Sequence, residues 1–279
     1  MRRKRACRKA GKQKALQNAL GGAQPMGCEV LQGRFYYSTR IQKCLARVFV
    51  LLCIAMPALQ AASAPAVPEG FIVRHGNRGA SKVAITIDDC YDRKHIQAAI
   101  DLCVTHDIPV TFFPVGNALK YADGELWQNA LDAGCEIGNH SWGHKDLTDL
   151  NAHQVKFQML RTQEKLDAML GYHYPMQVMR PPYGTANNAV AEALKAIDYQ
   201  KIVKWDVSQT DASKAILDVQ NGSILLYHGR ARDIRCLKTL IPQLLEQGYE
   251  CVTVSELLMI PPVATSTDLY VYRSSDTEE

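Results

Sequence analysis

The sequence predicts an α/β protein built on parallel strands, and two observations predict it. Short apolar runs rich in Val and Ile alternate with longer segments whose apolar residues recur at helical spacing. That alternation is typical of a parallel sheet or barrel. Polar residues with reactive side chains follow most of the apolar runs, at the strand ends where parallel α/β proteins hold their functional groups. We therefore expect these groups to gather on one face of the molecule.

The predicted elements follow one another in a regular order. Seven segments are predicted strands, at residues 83–87, 110–115, 136–139, 177–179, 200–207, 224–227 and 251–254. Segments with apolar residues three and four positions apart are predicted helices, at residues 93–106, 125–133, 151–170, 188–197 and 233–247. Either Asp149 or Asn151 is expected to cap the third helix, and residues 269–272 are a further candidate strand.

Charge and composition divide the chain into four parts. Residues 1–64 hold 12 of the 32 Lys/Arg and only one of the 28 acids, so the remainder holds 20 bases and 27 acids. An acidic remainder argues against a nucleic-acid-binding surface. After the basic leader, residues 65–82 are a predicted linker, residues 83–260 a globular domain and residues 261–279 a flexible tail.

The leader, residues 1–64, ends in a pattern typical of a secretory signal peptide. Basic residues precede the apolar run 48–56, and the small residues 62–64 fit a cleavage site. We expect a mature chain that begins near Pro65, is secreted or periplasmic and has no stable membrane span. An uncleaved leader would instead be a membrane anchor, because no charge interrupts the apolar stretch. Translation starts at Met1 or Met26.

The cysteines do not form a metal-binding or disulfide pattern that can be read from spacing. Of the nine, the five beyond the leader are an odd number without a Cys-x-x-Cys pair, at positions 90, 103, 135, 236 and 251. This excludes a zinc ribbon and a dense disulfide framework. One or two disulfides remain open for an exported protein.

Two pairs of residues are candidates for metal-assisted chemistry. Asp88 and Asp89 follow the first strand, and adjacent carboxylates are unfavourable unless a cation neutralises one of them. One can then bind a metal while the other acts as a base, although helix capping is the plainer interpretation. His140 and His144 are four residues apart, a spacing that can direct two imidazoles at one ion. Two His and one Asp leave open coordination positions, as in catalytic zinc sites.

Three further polar residues follow later strands. Arg180 precedes two prolines, whose fixed φ would hold the guanidinium in place to orient a carboxylate. His228 follows the run 224–227, and an imidazole that titrates near neutral pH suits a general acid. Asp211, one strand earlier, could hold that imidazole in one tautomer. A surface turn and a structural histidine are the plainer interpretations.

In order and spacing these motifs resemble those of the polysaccharide deacetylases of carbohydrate esterase family 4, which share the NodB homology domain. The five family motifs correspond to residues 86–90, 140–144, 180–183, 211–212 and 226–228. The resemblance covers residues from about 82 to 258. It implies a distorted (β/α) barrel of about seven parallel strands, with residues 83–260 as the catalytic domain.

The resemblance implies removal of N-acetyl groups from a glycan, either peptidoglycan or a chitin-like polymer of N-acetylglucosamine. It also implies one divalent metal ion, zinc or alternatively cobalt. Asp89, His140 and His144 would bind the ion, and Asp88 would be the base that deprotonates the metal-bound water. By the same resemblance, Arg180 would orient Asp88, and the backbone N–H of Tyr183 would stabilise the oxyanion. His228 would protonate the leaving amine, and Asp211 would tune the pKa of His228. Leu226 would line the pocket for the acetyl methyl.

The sequence departs from the family pattern at three positions and leaves other functions open. Cys90 stands in place of Gly, Ile87 in place of Phe, and Ala212 in place of Trp. The alternatives are a catalytically silent carbohydrate-binding barrel, a deacylase of a small acetylated amine, and a two-His, one-carboxylate iron oxygenase. The oxygenase ranks last because its site needs neither a second Asp nor a distant His.

Overall fold

The computed structural model describes residues 70–277, so the predicted leader and residues 65–69 of the predicted linker lie outside the described part. Its strands are β1 Ile72–Val73, β2 Lys82–Asp89, β3 Thr111–Pro114, β4 Glu136–Ile137, β5 Val178–Met179, β6 Lys201–Val203, β7 Ile224–His228 and β8 Glu250–Cys251. Its α-helices are α1 Arg93–His106, α2 Gly124–Asp132, α3 Ala152–Leu170, α4 Asn188–Lys195, α5 Ala212–Asp218, α6 Ala231–Glu246 and α7 Val254–Leu257.

The strands are parallel and lie in a nearly circular order. One sheet has the order β1-β6-β5, and the other has the order β4-β3-β2-β7, with β8 paired to the start of β2. Single parallel bridges connect the two sheets on both sides, Asn139 with Met179 and Val207 with Leu225. The prediction of an α/β fold built on parallel strands as a distorted barrel is confirmed.

The packing of side chains inside the strand circle also indicates a barrel. Alternate residues of a strand point to opposite faces, so β2 sends Val83, Ile85 and Ile87 toward the helices and Ala84 inward. The inner cluster takes one residue from or beside each of seven strands: Val73, Ala84, Phe113, Val178, Val203, Ile224 and Val252. The interior is therefore a packed core, as in small closed barrels.

Several elements differ from their predicted limits. Within the predicted linker, Ile72–Val73 form β1 and pair with β6. In the tail, residues 269–272 form no strand, and Ser266 instead makes an antiparallel bridge with His173. Asn151, not Asp149, caps α3, and it does so in a reciprocal capping box with Gln154.

Two absences hold for residues 70–277. All five cysteines in this range are buried and free, so the structure contains no disulfide there. None of the helices in this range has the combined length and apolar character needed to cross a membrane.

Candidate active site

A sharp turn at the end of β2 brings two adjacent carboxylates to the same place. Neighbouring residues of an extended strand point to opposite sides. Asp89 and Cys90 instead adopt left-handed backbone conformations, with φ of 70° and 61°, and the Cys90 N–H donates to the Asp88 carbonyl at 2.9 Å. As a result Asp88 Oδ2 lies 3.8 Å and Asp89 Oδ1 lies 3.7 Å from Nε2 of His140.

Asp89, His140 and His144 form a set of ligands that fits a divalent metal ion. One ligand atom from each lies within 4.8 Å of the others, and His144 Nε2 is 3.5 Å from Asp89 Oδ1. The His140 Nδ1–H donates to the Arg180 carbonyl at 2.7 Å, which leaves Nε2 free to bind an ion. Burial lowers the pKa of His140 and so favours the neutral imidazole that a metal requires. Two imidazoles and one carboxylate leave positions open for water or substrate, as catalytic zinc sites do.

The loop that carries the two histidines is held by buried hydrogen bonds. The Asn139 side chain accepts from the Ser141 N–H at 2.9 Å and donates to the Tyr199 hydroxyl at 2.7 Å. The residues with positive φ include Ser141 and His144, in addition to the turn after β2. Such conformations are unfavourable for residues other than glycine and concentrate at functional sites.

Arg180 is fully buried and fixes the position of Asp88. Its Nη1 donates to Asp88 Oδ1 at 2.8 Å and also to the Thr86 hydroxyl. Its Nε and Nη2 donate to the carbonyls of Val203 and Lys204, both at 3.2 Å. Asp88 is therefore a buried carboxylate with an oriented charge partner, and its second oxygen faces His140.

His228 lies beside Asp88 on the neighbouring strand, because Asp88 and His228 are paired in the register of β2 and β7. Its acidic partner is Asp233, in the first turn of α6. Asp233 Oδ2 is 3.5 Å from His228 Nδ1 and accepts from the His228 N–H at 2.8 Å. Asp233 is the main cause of a raised pKa of His228, and burial of the imidazole opposes it.

In the structure the acidic partner of the His228 imidazole is therefore Asp233, whereas the sequence analysis expected Asp211. Asp211 is exposed and caps α5, where its side chain accepts from the Ser213 N–H at 3.0 Å. The physical reason is local, since an Asp directly before a helix finds the unpaired N–H groups of the first turn within reach. The sequence signal for Asp233 is an acid in the first turn of the helix after β7.

Two other predicted site residues flank this cluster. Tyr183 is 67% exposed, has a φ of 59°, and places its ring edge-on to His144 at a centroid distance of 4.8 Å. Leu226 is buried on β7 and is paired in register with Thr86. Because it is two residues before His228, it points to the same side of the sheet.

A second residue beside this cluster, like Asp233, was not found from the sequence. Arg230 follows β7, and its Nη2 lies 3.1 Å from Asp89 Oδ2, the oxygen that faces away from the histidines. An arginine two residues after a strand-end histidine gives no distinctive sequence signal.

Comparison with known proteins identifies the fold family. A sequence model of the polysaccharide deacetylase family matches residues 75–202. Over this segment the chain resembles that family. The matched segment contains Arg180 and all three candidate metal ligands, and it ends before His228.

The chain resembles two curated bacterial enzymes. Peptidoglycan-N-acetylglucosamine deacetylase PgdA of Listeria monocytogenes is 32% identical over 186 residues, which are 63% of this chain and 38% of the relative. Peptidoglycan-N-acetylmuramic acid deacetylase PdaC of Bacillus subtilis is 31% identical over 185 residues, again 63% and 38%. The alignment thus spans well under half the length of these relatives.

Solved structures show the same architecture. Bacillus subtilis PdaA, a family 4 carbohydrate esterase, superposes with a TM-score of 0.62 at 26% identity and covers 68% of this chain and 85% of its own. BA3943 of Bacillus anthracis, a pseudoenzyme of the same family, gives 0.61 at 23% identity and covers 70% and 69%. The second likeness bears on the fold alone.

Proposed function

We propose that this protein is a metal-dependent hydrolase that removes N-acetyl groups from peptidoglycan or a chitin-like glycan. One observation carries the proposal: Asp88, held by Arg180, lies beside the Asp89–His140–His144 set, with His228 opposite it in register. The names of PgdA and PdaC support an N-acetylated amino sugar of peptidoglycan as the substrate. A secreted or periplasmic location, as the signal-like leader predicts, fits such a substrate.

Each residue of the site has a distinct role in amide hydrolysis. Bound to Asp89, His140 and His144, a divalent ion, zinc or cobalt, would polarise the amide carbonyl and lower the pKa of water. Asp88 accepts the proton of the attacking water, and Arg180 keeps its carboxylate aimed. The backbone N–H of Tyr183 donates to the oxyanion, and Leu226 contacts the acetyl methyl.

His228 acts on the leaving amine. Its protonated imidazole donates a proton to the amine nitrogen as the C–N bond breaks. Asp233 takes the role of the charged partner that favours the protonated form. A general base and a general acid on adjacent strands are what this hydrolysis requires.

The direct test is acetate release by the zinc-loaded protein from N-acetylglucosamine oligomers and from purified peptidoglycan. We expect release, and we expect Asp88→Asn to lower it roughly 10²–10⁴-fold, the usual contribution of a general base. Asp88→Asn leaves the buried Arg180 guanidinium without its charge partner, so it can also destabilise the fold. His228→Gln is the second variant, because the Gln amide can still donate to the buried Asp233, with circular dichroism and zinc content as controls.

The alternatives give different results when small acetylated amines are added to the substrates of this experiment. Binding of the oligomers without acetate release would indicate a silent carbohydrate-binding barrel. Release only from small acetylated amines would indicate a deacylase of another substrate class. Either result would overturn the proposed activity.

A further inference from the structure

The mouth of the candidate site carries an arginine whose position suits a substrate anion. Arg230 is 68% exposed, yet its Nη2 contacts Asp89 Oδ2 at 3.1 Å. Asp89 presents its other oxygen, Oδ1, to His140 and His144. A single carboxylate therefore separates Arg230 from the place where the reacting amide would be held.

The guanidinium has capacity for a second partner. Within residues 70–277, Asp89 is its only hydrogen-bond acceptor, and Nη1 and Nε have none. The other guanidinium of the site, Arg180, is fully buried and uses its donors on Asp88, Thr86 and two carbonyls. The arginine end of the Arg230–Asp89 pair is 68% exposed, so solvent screens the interaction and Arg230 can turn to a second partner.

We propose that Arg230 binds a free carboxylate that the substrate carries next to its N-acetyl group. The inference rests on the proposed function and specifies its substrate class: an N-acetylated amino sugar with a carboxylate-bearing substituent, such as the 3-O-lactyl ether of N-acetylmuramic acid. Arginine pairs with a carboxylate through two parallel hydrogen bonds, which fix both distance and orientation.

Two further features favour a carboxylate over a neutral sugar. Residues 65–279 carry 20 bases and 27 acids, so the domain as a whole repels anions and only a local cation can hold one. A metal ion bound to Asp89 would offset the negative charge of that carboxylate, so the carboxylate would neutralise the Arg230 guanidinium less. A carboxylate of the substrate would then provide the negative charge that Arg230 lacks.

The test compares three N-acetylated compounds with the zinc-loaded protein: N-acetylmuramic acid oligomers, the same oligomers with the lactyl carboxylate methylated, and N-acetylglucosamine oligomers of equal length. We expect kcat/KM for the free acid to exceed that for its ester roughly 10-fold or more, as a charge-assisted hydrogen bond allows. In Arg230→Ala this ratio should fall to about one, and in Arg230→Lys it should fall only in part.

Arg232→Ala is the matched control, because it removes an exposed arginine two residues away that has no contact with Asp89 in the described part of the chain. It should leave the acid-to-ester ratio unchanged. Equal rates for acid and ester with the unaltered protein would overturn the inference. So would an equal loss on all three compounds in Arg230→Ala with weakened zinc binding, because Arg230 would then only hold Asp89.

Isothermal titration calorimetry measures the affinity for the same compounds without requiring catalysis, so it tests the inference independently of the proposed function. If no compound releases acetate, the proposed activity fails. A preference for the free acid that Arg230→Ala abolishes would still support the inference, and binding without any such preference would contradict it.

Discussion

At the residue scale, environment gives different properties to two adjacent carboxylates. Asp88 is 3% exposed and paired with the buried Arg180, whereas Asp89 contacts two imidazoles on one side and the exposed Arg230 on the other. The left-handed conformation of Asp89 makes the difference possible, since an extended strand would send the two side chains to opposite faces. Cys90 accepts the same conformation with a buried side chain, where the family motif has Gly.

Asp233→Asn should move the alkaline limb of the pH–rate profile to lower pH. The negative charge of Asp233 raises the pKa of His228, and activity declines as pH rises through that pKa because the proton needed by the leaving amine is lost. The amide oxygen of Asn still accepts from the His228 N–H, so the fold is kept. Asp211→Asn is the control and should leave the limb in place. A shift in Asp211→Asn and none in Asp233→Asn would reverse the assignment.

The sequence identifies residues whose type and spacing are distinctive and misses those defined by geometry alone. His140, His144 and Asp89 were predicted together, and the structure brings their ligand atoms within 4.8 Å. Asp233 and Arg230 were missed, because their contacts depend on how α6 leaves β7. The apolar pattern of a helix predicts which of its faces is buried. It does not predict the angle at which the helix leaves the preceding strand, and that angle decides what the first-turn side chains contact.

At the element scale, hydrogen bonding rather than apolar character decides where strands end. The sequence predicts one strand over residues 200–207, but β6 ends at Val203. The carbonyls of Val203 and Lys204 accept from Arg180, and Val207 makes only a single bridge to β7. β1 was missed because two residues are too short to form a pattern.

Asn151→Ala should lower the free energy of unfolding by about 1 kcal/mol, within the range of ~0.5–2 kcal/mol for the loss of an N-cap. Asn151 caps α3, a 19-residue helix, and its side chain accepts from the Gln154 N–H at 2.9 Å. Urea unfolding followed by circular dichroism measures the change. Asp149→Ala, the other cap that the sequence allowed, should change the value by under about 0.5 kcal/mol. A larger effect at Asp149 would contradict the observed cap.

At the scale of the whole molecule, the barrel core and the candidate metal ligands are made of different residues. The inner cluster is made of apolar residues from the strands, such as Ala84, Phe113 and Ile224. The candidate ligands lie at and beyond the carboxyl ends of β2 and β4. A parallel barrel of this kind has its own hydrophobic stabilisation, so its fold does not depend on an ion.

Removing the metal should therefore abolish activity while the fold remains. After chelation we expect acetate release to be lost and the far-UV circular dichroism spectrum to be kept, with zinc or cobalt restoring turnover. The melting temperature should drop modestly, because an ion at 100 times its Kd stabilises the native state by about 2.7 kcal/mol. In Asp89→Asn, restoration should need more zinc, since a neutral amide replaces the only charged ligand. Full activity of rigorously metal-free protein would contradict the metal dependence. Unfolding on chelation would contradict the separation of core and site.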